Sequence, residues 1–349
     1  MASKVYFKGV DESSESKQAA LSAVLQFLPK FSASTIVPIK ITIGDSNSPF
    51  AIKPELVTLV VEKIKSQNAK PFVFDTNVIY KGERNNAIDH LTLAYKKGFT
   101  PDKIKAPFII ADGIFGLDGK DFKVDYQHIK NIRVPSFVGI LDNLVVLSHV
   151  TGHMMTGYAA AIKNVAMGIS CRPGKQVQHS SVKPKVNPNK CIMCGACIEI
   201  CPVEAISVKK DKAFIESNVC VGCGECLCAC QYGAIAVNWK EDYLIFNERV
   251  VEYAAAILKK FKRKFFINCA FEITKECDCM DNRGVSFITK DIGVFASEDI
   301  VALEKATVDA CNKDEDIFLK FQNVNFYLDQ FKYAEKLSLG SPAYELIQL

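Results

Sequence analysis

Apolar residues in the N-terminal part of the chain recur at two different spacings. One set alternates along the chain, as the core face of a half-buried strand does: Val37, Ile39, Ile41 and Ile43. Two other sets repeat at helical spacing and predict amphipathic helices: Leu21, Val24, Leu25 and Leu28, followed by Pro29, and Val57, Val60, Val61 and Ile64, preceded by Pro54. Proline is tolerated in the first turn of a helix but cannot continue one.

Short, continuous apolar runs alternate with these helical stretches. They occupy residues 72–74, 108–110, 144–147 and 265–267. Continuous runs of this kind are typical of strands that are buried on both faces of a parallel sheet. The sequence therefore predicts an α/β fold with a mostly parallel sheet flanked by helices.

Three of the predicted strands end in a polar residue, namely Asp75, Asp112 and His149. In open α/β sheets, ligands collect beyond the carboxyl ends of the strands, so these residues are candidates for a pocket. The alternative is that they only cap loops or helices.

Composition and charge narrow the class of protein. Of 349 residues, 49% are hydrophobic and 23% charged, which is typical of a globular chain, and the net charge of +4 is too small to indicate nucleic-acid binding. No apolar run reaches the roughly 18 residues that cross a membrane. The N-terminus shows no secretory leader, so we expect a cytoplasmic protein without a membrane or nucleic-acid partner.

The chain contains 14 cysteines, and nine of them lie between Cys191 and Cys230. In a reducing compartment this density favours metal binding over disulfides. The spacing C-x2-C-x2-C-x3-C occurs twice, which is the bacterial pattern for two cubane iron–sulfur clusters. In that pattern the fourth cysteine of each run binds the other cluster. The first predicted cluster takes Cys191, Cys194, Cys197 and Cys230, and the second takes Cys220, Cys223, Cys226 and Cys201.

This segment resembles the two-cluster bacterial ferredoxins, with Gln231 where that family often has proline. We expect a compact α+β insert at 186–240, between a first part of the α/β domain at 1–185 and a second part at 241–349. Of the other cysteines, Cys228 and Cys311 are expected to be buried, and the role of Cys171 is left open. We expect Cys277 and Cys279, together with Cys269, to form a third metal or redox site, unless they are buried or incidental cysteines.

A dense polar set leads into the first cysteine run: His149, His153, Lys163, Asn164, Arg172, Lys175 and His179. Histidine titrates near neutral pH, and lysine and arginine bind phosphates or carboxylates. These residues predict a reactive pocket beside the first cluster, unless they are surface residues and helix caps. The chain lacks the phosphate-loop and dinucleotide-binding glycine motifs, so a nicotinamide or ATP site has no support, whereas a flavin remains open.

Several stretches together resemble the DUF362 family, in its branch of uncharacterised Fe–S center proteins. They are GDSNSPFAIKPELV (44–57), DTNVIYKGERNNAIDHLTLAYKKGF (75–99), ADGIFG (111–116), LSHVTGHMMTGYAAAIKNVAMG (147–168), RPGKQVQH (172–179), the cysteine insert, CDC (277–279) and DIGVFASEDIVALEKATVD (291–309). The resemblance implies an α/β domain interrupted by a two-cluster unit. It adds Tyr80, Arg84 and His90 to the candidate pocket residues.

Taken together, the sequence predicts an iron–sulfur oxidoreductase in which two [4Fe–4S] clusters exchange electrons with a small redox ligand or a flavin. The expected catalytic residues are His149, His153, Lys163 and Asn164. The expected cofactor-binding residues are Asp75, Asn77, Arg84, Asp112, Arg172 and His179. The alternative is a non-catalytic electron carrier or a scaffold that docks an electron donor or acceptor protein.

Overall fold

The computed structural model describes residues 2–80, 82–179, 184–201, 203–220, 225–236, 243–279, 283–322 and 326–349, without the side chains of Glu225 and Cys228. The strands are β1 (Ser3–Gly9), β2 (Ile36–Lys40), β3 (Lys70–Asp75), β4 (Phe108–Ile110), β5 (Lys120–Lys123), β6 (Asn131–Val134), β7 (Asn143–His149), β8 (Thr151–His153), β9 (Gly157–Ala159), β10 (Lys185–Val186), β11 (Ile206–Lys209), β12 (Lys212–Ile215), β13 (Ile235–Ala236), β14 (Arg263–Ala270), β15 (Gly293–Ser297) and β16 (Tyr344–Gln348).

The helices are α1 (Ser14–Val24), α2 (Pro54–Lys65), α3 (Ala87–Lys96), α4 (Pro101–Ile104), α5 (Ala161–Ala166), α6 (Arg172–His179), α7 (Ala196–Glu199), α8 (Glu225–Ala229), α9 (Tyr243–Leu258), α10 (Ile300–Cys311), α11 (Ile317–Gln322) and α12 (Tyr327–Lys336). Local sequence explains where several of them begin. Pro54 occupies the first turn of α2, and the side chains of Asn86 and Asp299 accept hydrogen bonds from the first turns of α3 and α10.

In the described part of the chain, eight strands form the central sheet in the order β16-β1-β15-β14-β7-β2-β3-β4. Every neighbouring pair is parallel except the two pairs made by β15. The strands that follow the cysteine-rich segment join this same sheet, because β14 pairs with β7 and β16 pairs with β1. The predicted mostly parallel α/β fold is confirmed.

Both faces of the sheet are covered by helices. Neighbouring residues of β7 belong to different hydrophobic clusters, with Val146 in one and Val145 in the other, because successive side chains of a strand point to opposite faces. The expectation of a half-buried strand at 37–43 was therefore wrong. Strand β2 ends at Lys40, and its non-alternating residues Pro38 and Lys40 are buried too.

The cysteine-rich segment has a small hydrophobic cluster of its own. Two antiparallel strand pairs, β10 with β13 and β11 with β12, frame the short helices α7 and α8. Its buried members include Cys191, Cys197 and Cys226. Helix α8 packs against α6 of the α/β part, and α6 packs in turn against α9. Across the described residues, no helix combines the length and the apolar character that crossing a membrane requires.

Candidate functional site

The carboxyl ends of four adjacent parallel strands bring polar side chains to one edge of the sheet. Strand β2 ends in Lys40, β3 in Asp75 and β7 in His149, and Asp112 follows β4 by two residues. All four side chains are buried. The three strand-end residues singled out from the sequence therefore lie at the same edge, together with a lysine that the alternation pattern had assigned to solvent.

An ion pair between Lys40 and Asp75 lies at the centre of this edge. The Lys40 ammonium donates to Oδ1 of Asp75 at 3.0 Å and to Oδ1 of Asn164 at 2.9 Å, and its side chain is fully buried. Burial lowers the pKa of Lys40 despite this carboxylate. Burial also opposes ionisation of Asp75, but Lys40 and His90 together hold its pKa well below the ordinary value.

A second group joins the loops that follow β3 and β4 to helix α6. The backbone and side-chain amides of Asn77 both donate to Asp112, each at 3.0 Å, and Lys175 donates to the Asn77 carbonyl at 2.6 Å and to the Thr76 hydroxyl. Burial raises the pKa of the Asp112 carboxyl and lowers that of the Lys175 ammonium. Both groups are thereby moved toward neutral pH, where a proton donor or acceptor is most useful.

Two predicted pocket residues meet a cysteine. The Arg84 guanidinium donates to the Tyr80 hydroxyl at 3.3 Å, and both side chains hydrogen-bond to Cys279. Arg84 is 2% exposed, and its Nε atom has no hydrogen-bond partner among the described residues. Burial opposes the charge on Arg84, but Tyr80 and Cys279 raise its pKa above the ordinary value.

Helix α5 sends its two predicted residues in different directions. Lys163 hydrogen-bonds to Cys277, and although burial opposes its charge, Cys277 and Cys279 raise its pKa. The Asn164 amide is fully engaged within the protein: it donates to Ser148 Oγ at 3.0 Å and to the Leu147 carbonyl, and accepts from Lys40. Lys163 therefore faces the cysteine loop, whereas Asn164 holds Lys40 in position.

His149 connects the sheet edge to a distant loop. Its Nδ1 atom lies 2.9 Å from Oδ2 of Asp278, and its Nε2 atom lies 2.8 Å from the Phe271 carbonyl. Burial would lower the pKa of His149, but the Asp278 carboxylate outweighs it and the pKa is raised. The Ser48 hydroxyl and the Asp45 backbone amide also bind Asp278, so two segments, the end of β7 and the loop of Asp45 and Ser48, fix this loop.

His153 and His179 both pack against the same aromatic ring. Their imidazoles pack against Phe246, with ring centroids 6.3 and 5.0 Å away. Burial, followed by the charge of Lys163, lowers the pKa of His153 well below its ordinary value and that of His179 to about 3. Both rings are therefore neutral at physiological pH and are neighbours of Lys163.

Arg172 binds two loops beside the site. Its guanidinium donates to the backbone carbonyls of Asn85 at 3.2 Å and Phe115 at 3.4 Å. Gly116 has a φ of +76°, and a Cβ atom there would lie 2.4 Å from the Arg172 side chain and 3.1 Å from Oδ2 of Asp112. Arg172 thus packs behind Asp112 and stabilises the loop that carries it.

In the cysteine insert, the four predicted ligands of the first cluster surround one cavity. Cys191, Cys194, Cys197 and Cys230 line one pocket, whose other walls are mostly apolar. Cys197 is close enough to the other three for their charges to raise its pKa, in addition to the effect of burial. The loop turns into this cavity through left-handed backbone at Met193 and Gly195.

Backbone amides point at several of these sulfurs. The amide of Ala234 donates to Cys230 at 3.3 Å, that of Ala205 donates to Cys201 at 3.2 Å, and two amides donate to Cys191 and lower its pKa. Such bonds stabilise thiolates and tune cluster potentials. Of the second predicted set, Cys220, Cys226 and Cys201 lie in the insert's hydrophobic cluster, and Cys223 falls outside the described residues.

Among the residues that the structure describes, no three Cys, His, Asp or Glu side chains converge as the ligands of a single ion do. A [4Fe–4S] cubane requires a different arrangement, because its four thiolates bind four separate irons and therefore surround a volume. The four predicted ligands of the first cluster, which line one pocket, fit this arrangement.

The remaining cysteines differ in their surroundings. Cys269 lies inside β14 and Cys311 at the end of α10, both in the hydrophobic core, where burial alone raises the thiol pKa. Cys311 is thus buried as predicted, and Cys269 does not join the loop of Cys277 and Cys279. Cys171 is buried and donates to the Asp118 carbonyl at 3.5 Å.

Sequence reasoning missed two contributions to this site. Lys40 follows Ile39, and the alternating pattern of that strand placed Lys40 on a solvent-exposed face. Lys40 is buried because a parallel strand inside the sheet is covered on both faces. Cys279 was noted as part of a C-x-C pair, but nothing along the chain indicates that it meets Arg84 and Tyr80.

Comparisons with known proteins give a family and two remote structures. Residues 37–309 match the family model described as a domain of unknown function, DUF362. No curated protein matches the chain. A Thermotoga maritima protein of known structure matches with a TM-score of 0.41 and 11% identity, over 93% of this chain and 59% of that chain. The lactate racemase apoprotein of Thermoanaerobacterium thermosaccharolyticum matches with a TM-score of 0.41 and 13% identity, over 89% of this chain and 57% of that chain. This chain therefore spans less than two thirds of either structure, and at this similarity neither bears on function.

Proposed function

We propose an activity for this chain, which belongs to the DUF362 family: it is an iron–sulfur oxidoreductase that exchanges electrons with a small anionic ligand at the carboxyl ends of β2, β3, β4 and β7. In this proposal it belongs to the iron–sulfur branch of the family, with a ferredoxin-like insert at 186–240. Two [4Fe–4S] clusters, held by the eight cysteines of the two runs, supply single electrons when bound. The described cysteines form no disulfide, which supports a reducing, cytoplasmic location.

The observation that carries the proposal is the concentration of ionisable side chains at one sheet edge, where Lys163 is half-buried and the others are buried: Lys40, Asp75, Arg84, Asp112 and Lys175. Burying a charge costs free energy unless it is paired, and a protein that only docks partners has no use for such a group. Buried ionisable groups whose pKa values are strongly shifted by specific partners are typical of functional sites. This group lies where open α/β sheets collect ligands.

The charges of the site favour an anion as the ligand. Arg84 and Lys163 are held as cations beside the loop of Cys277 and Cys279, and Arg84 Nε has no partner among the described residues. A guanidinium can bind a carboxylate or a phosphate through two parallel hydrogen bonds. His153 and His179 remain neutral and add no repulsion to the nearby lysine.

A proton can be held at the opposite side of the site. Asp112 and Lys175 share contacts with Asn77, and burial moves their pKa values toward each other. A group that titrates near the working pH is the most effective donor or acceptor in a proton transfer. Electron transfer to a bound ligand can therefore be accompanied by proton transfer from this pair.

Helix packing supports a short path for electrons between the ligand site and the cysteine insert. Helix α6 carries Lys175 and ends at His179, and it contacts α8, which carries Cys226. His179 is in turn near Lys163 and Cys279. The residues that would bind the ligand and a residue that would bind a cluster thus lie on either side of one helix contact.

The experiment is mass spectrometry of small molecules released by acid from the native protein, purified without oxygen. We expect one anionic compound, or a flavin if the ligand is larger, in the native protein. Lys163→Met and Arg84→Met should lose it while their iron content stays unchanged. Lys262→Met is the matched control, because this lysine forms an exposed ion pair with Asp142 and should retain the compound.

The alternative activity, a simple electron carrier, predicts a different result. The native protein then contains no such compound, and substitutions at the sheet edge leave electron transfer to an external acceptor unchanged. That combination of results would replace the oxidoreductase by a carrier or a docking scaffold.

A further inference from the structure

The loop of Cys277, Asp278 and Cys279 is held over the sheet edge by its middle residue. Asp278 is bound by His149 at 2.9 Å, by the Ser48 hydroxyl at 3.3 Å and, through its carbonyl, by the Asp45 amide at 2.6 Å. The chain turns at Asp278 and Cys279. Anchoring Asp278 therefore fixes this turn, and with it the positions of the two cysteines that flank Asp278.

The two thiols of this turn lie next to each other. The side chains of Cys277 and Cys279 hydrogen-bond to each other, so the sulfurs are neighbours. Lys163 donates to Cys277, and Arg84 and Tyr80 donate to Cys279. Cys277 is buried, whereas Cys279 is partly exposed.

These contacts distribute the protons unequally between the two sulfurs. The bond from Cys277, followed by the charges of Lys163 and Arg84, lowers the pKa of Cys279 well below its ordinary value despite burial. The same shared bond, together with burial, raises the pKa of Cys277. A thiolate beside a thiol is the arrangement of a reactive cysteine pair, whereas buried cysteines in apolar surroundings such as Cys269 and Cys311 are inert.

Metal binding by this pair has less support. Structural zinc takes four ligands, and within the described parts of the chain no third Cys, His or carboxylate joins these two sulfurs around one point. The carboxylate of Asp278, the residue between the two cysteines, is bound to His149.

We infer that Cys277 and Cys279 form a redox-active dithiol, which closes to a disulfide and reopens as the site exchanges electrons. On oxidation, the Cys279 thiolate and the Cys277 sulfur form an S–S bond, and the S–H bond of Cys277 breaks. One proton leaves to water, and two electrons leave, which the two [4Fe–4S] clusters of the proposed function would accept one each when bound. The return of two electrons and one proton restores the dithiol. The identity of the electron partner rests on the proposed function, whereas the dithiol chemistry does not.

The dithiol also affects how electrons and the two nearby cations reach the ligand. Each cluster carries one electron, whereas the dithiol carries two, so Cys277 and Cys279 can collect single electrons before they reach a ligand that accepts two electrons. When the disulfide forms, the thiolate charge disappears, and Lys163 and Arg84 lose a partner. They then become available to an anionic ligand.

The chain allows a direct test. Trypsin cleaves after Lys275 and Arg283, which gives a peptide of residues 276–283 with these two cysteines alone. The native protein is equilibrated without oxygen at graded ratios of oxidised to reduced dithiothreitol, quenched in acid, unfolded and labelled with N-ethylmaleimide. We expect the peptide to change from two labels to none, without a singly labelled form. Peptides 265–275 and 306–313, which contain Cys269 and Cys311, serve as internal controls and should stay labelled throughout.

Two labels on peptide 276–283 at every ratio would overturn the dithiol. Dithiothreitol exchanges electrons with Cys277 and Cys279 directly and does not require the clusters. This outcome is therefore distinct from a failure of the proposed function, which would be detected by iron analysis of the same sample. The electron link has a separate test with dithionite. We expect dithionite to reopen the disulfide in the native protein and to leave it closed in Cys194→Ala, which removes a ligand of the first cluster. Equal reopening in both proteins would overturn the link to the clusters.

Discussion

His149 Nδ1 lies 2.9 Å from Oδ2 of Asp278, and this contact joins the end of strand β7 to a loop 129 residues later in the chain. Both side chains are buried, and the partner raises the pKa of the imidazole and lowers that of the carboxyl, in each case against the effect of burial. The contact positions Cys277 and Cys279 over the candidate site. The pH dependence of stability should therefore report on the integrity of the site.

His149 should make the native protein less stable as the pH rises. Its pKa is raised in the folded state, so between the unfolded value of about 6.5 and the folded value the native protein binds more protons than the unfolded chain. The stabilisation is complete below about pH 6.5 and is lost as the pH rises through the folded pKa. Urea unfolding of the native protein and of His149→Gln should diverge at low pH and converge at high pH. A difference that is independent of pH would contradict the charged pair.

His179 should act in the opposite direction. Its pKa of about 3 in the folded protein lies below the unfolded value, so the unfolded chain takes up a proton first on acidification. The native protein should lose about 1.4 kcal/mol per pH unit through this group below about pH 6.5. His179→Phe retains the ring contact with Phe246 and should remove this part of the acid sensitivity. Unchanged acid sensitivity in His179→Phe would show that this imidazole is charged in the folded protein.

Asp75 should be far more important for stability than an exposed carboxylate in an equally close pair. Asp75→Asn leaves the Lys40 ammonium buried without its charge partner, which typically costs about 3–5 kcal/mol. Asp142→Asn is the matched control, because Asp142 lies 3.0 Å from Lys262, the same distance as in the buried pair, but with both side chains exposed. Its loss should be at most about 1 kcal/mol in urea unfolding. Similar losses in the two variants would contradict a charged Lys40.

Gly44 should be required for the position of the cysteine loop. Its φ is +75°, and a Cβ atom there would lie 2.8 Å from the Ala51 side chain and 3.3 Å from the Asp278 carbonyl. Gly284 also has a positive φ, of +68°, but its Cβ atom would point into open space. Both alanine variants should lose about 1–2 kcal/mol to the left-handed backbone. Only Gly44→Ala should also alter the dithiothreitol titration of peptide 276–283. An unaltered titration would show that the position of the cysteine loop does not depend on Gly44.

The sequence predicted the sheet because its strands are buried on both faces and leave continuous apolar runs. The run at 144–147 lies within β7, and the polar residues after the runs, Asp75 and Asp112, lie at one edge because parallel neighbours end together. Adjacency of β2, β3, β4 and β7 was not visible, since strand order depends on crossovers rather than on local pattern.

The contacts of individual site residues were less predictable. Lys163 and Asn164 were both expected to be catalytic residues, but Asn164 is engaged by Lys40 and Ser148 because α5 lies against the strand ends. The approach of Cys279 to Arg84 depends on a loop that returns from β14, and sequence spacing carries no information on such a return. The roles of these residues in binding or catalysis remain predictions.

The most direct measurement is the iron and acid-labile sulfide content of the protein purified without oxygen. Two [4Fe–4S] clusters require about eight irons and eight sulfides per chain. Cys230→Ser should reduce both contents, because Cys230 lines the cavity with Cys191, Cys194 and Cys197, whereas Cys311→Ser, in the hydrophobic core, should leave both unchanged. We expect about eight of each in the native protein. A content near four, or zinc in place of iron, would contradict the two-cluster oxidoreductase.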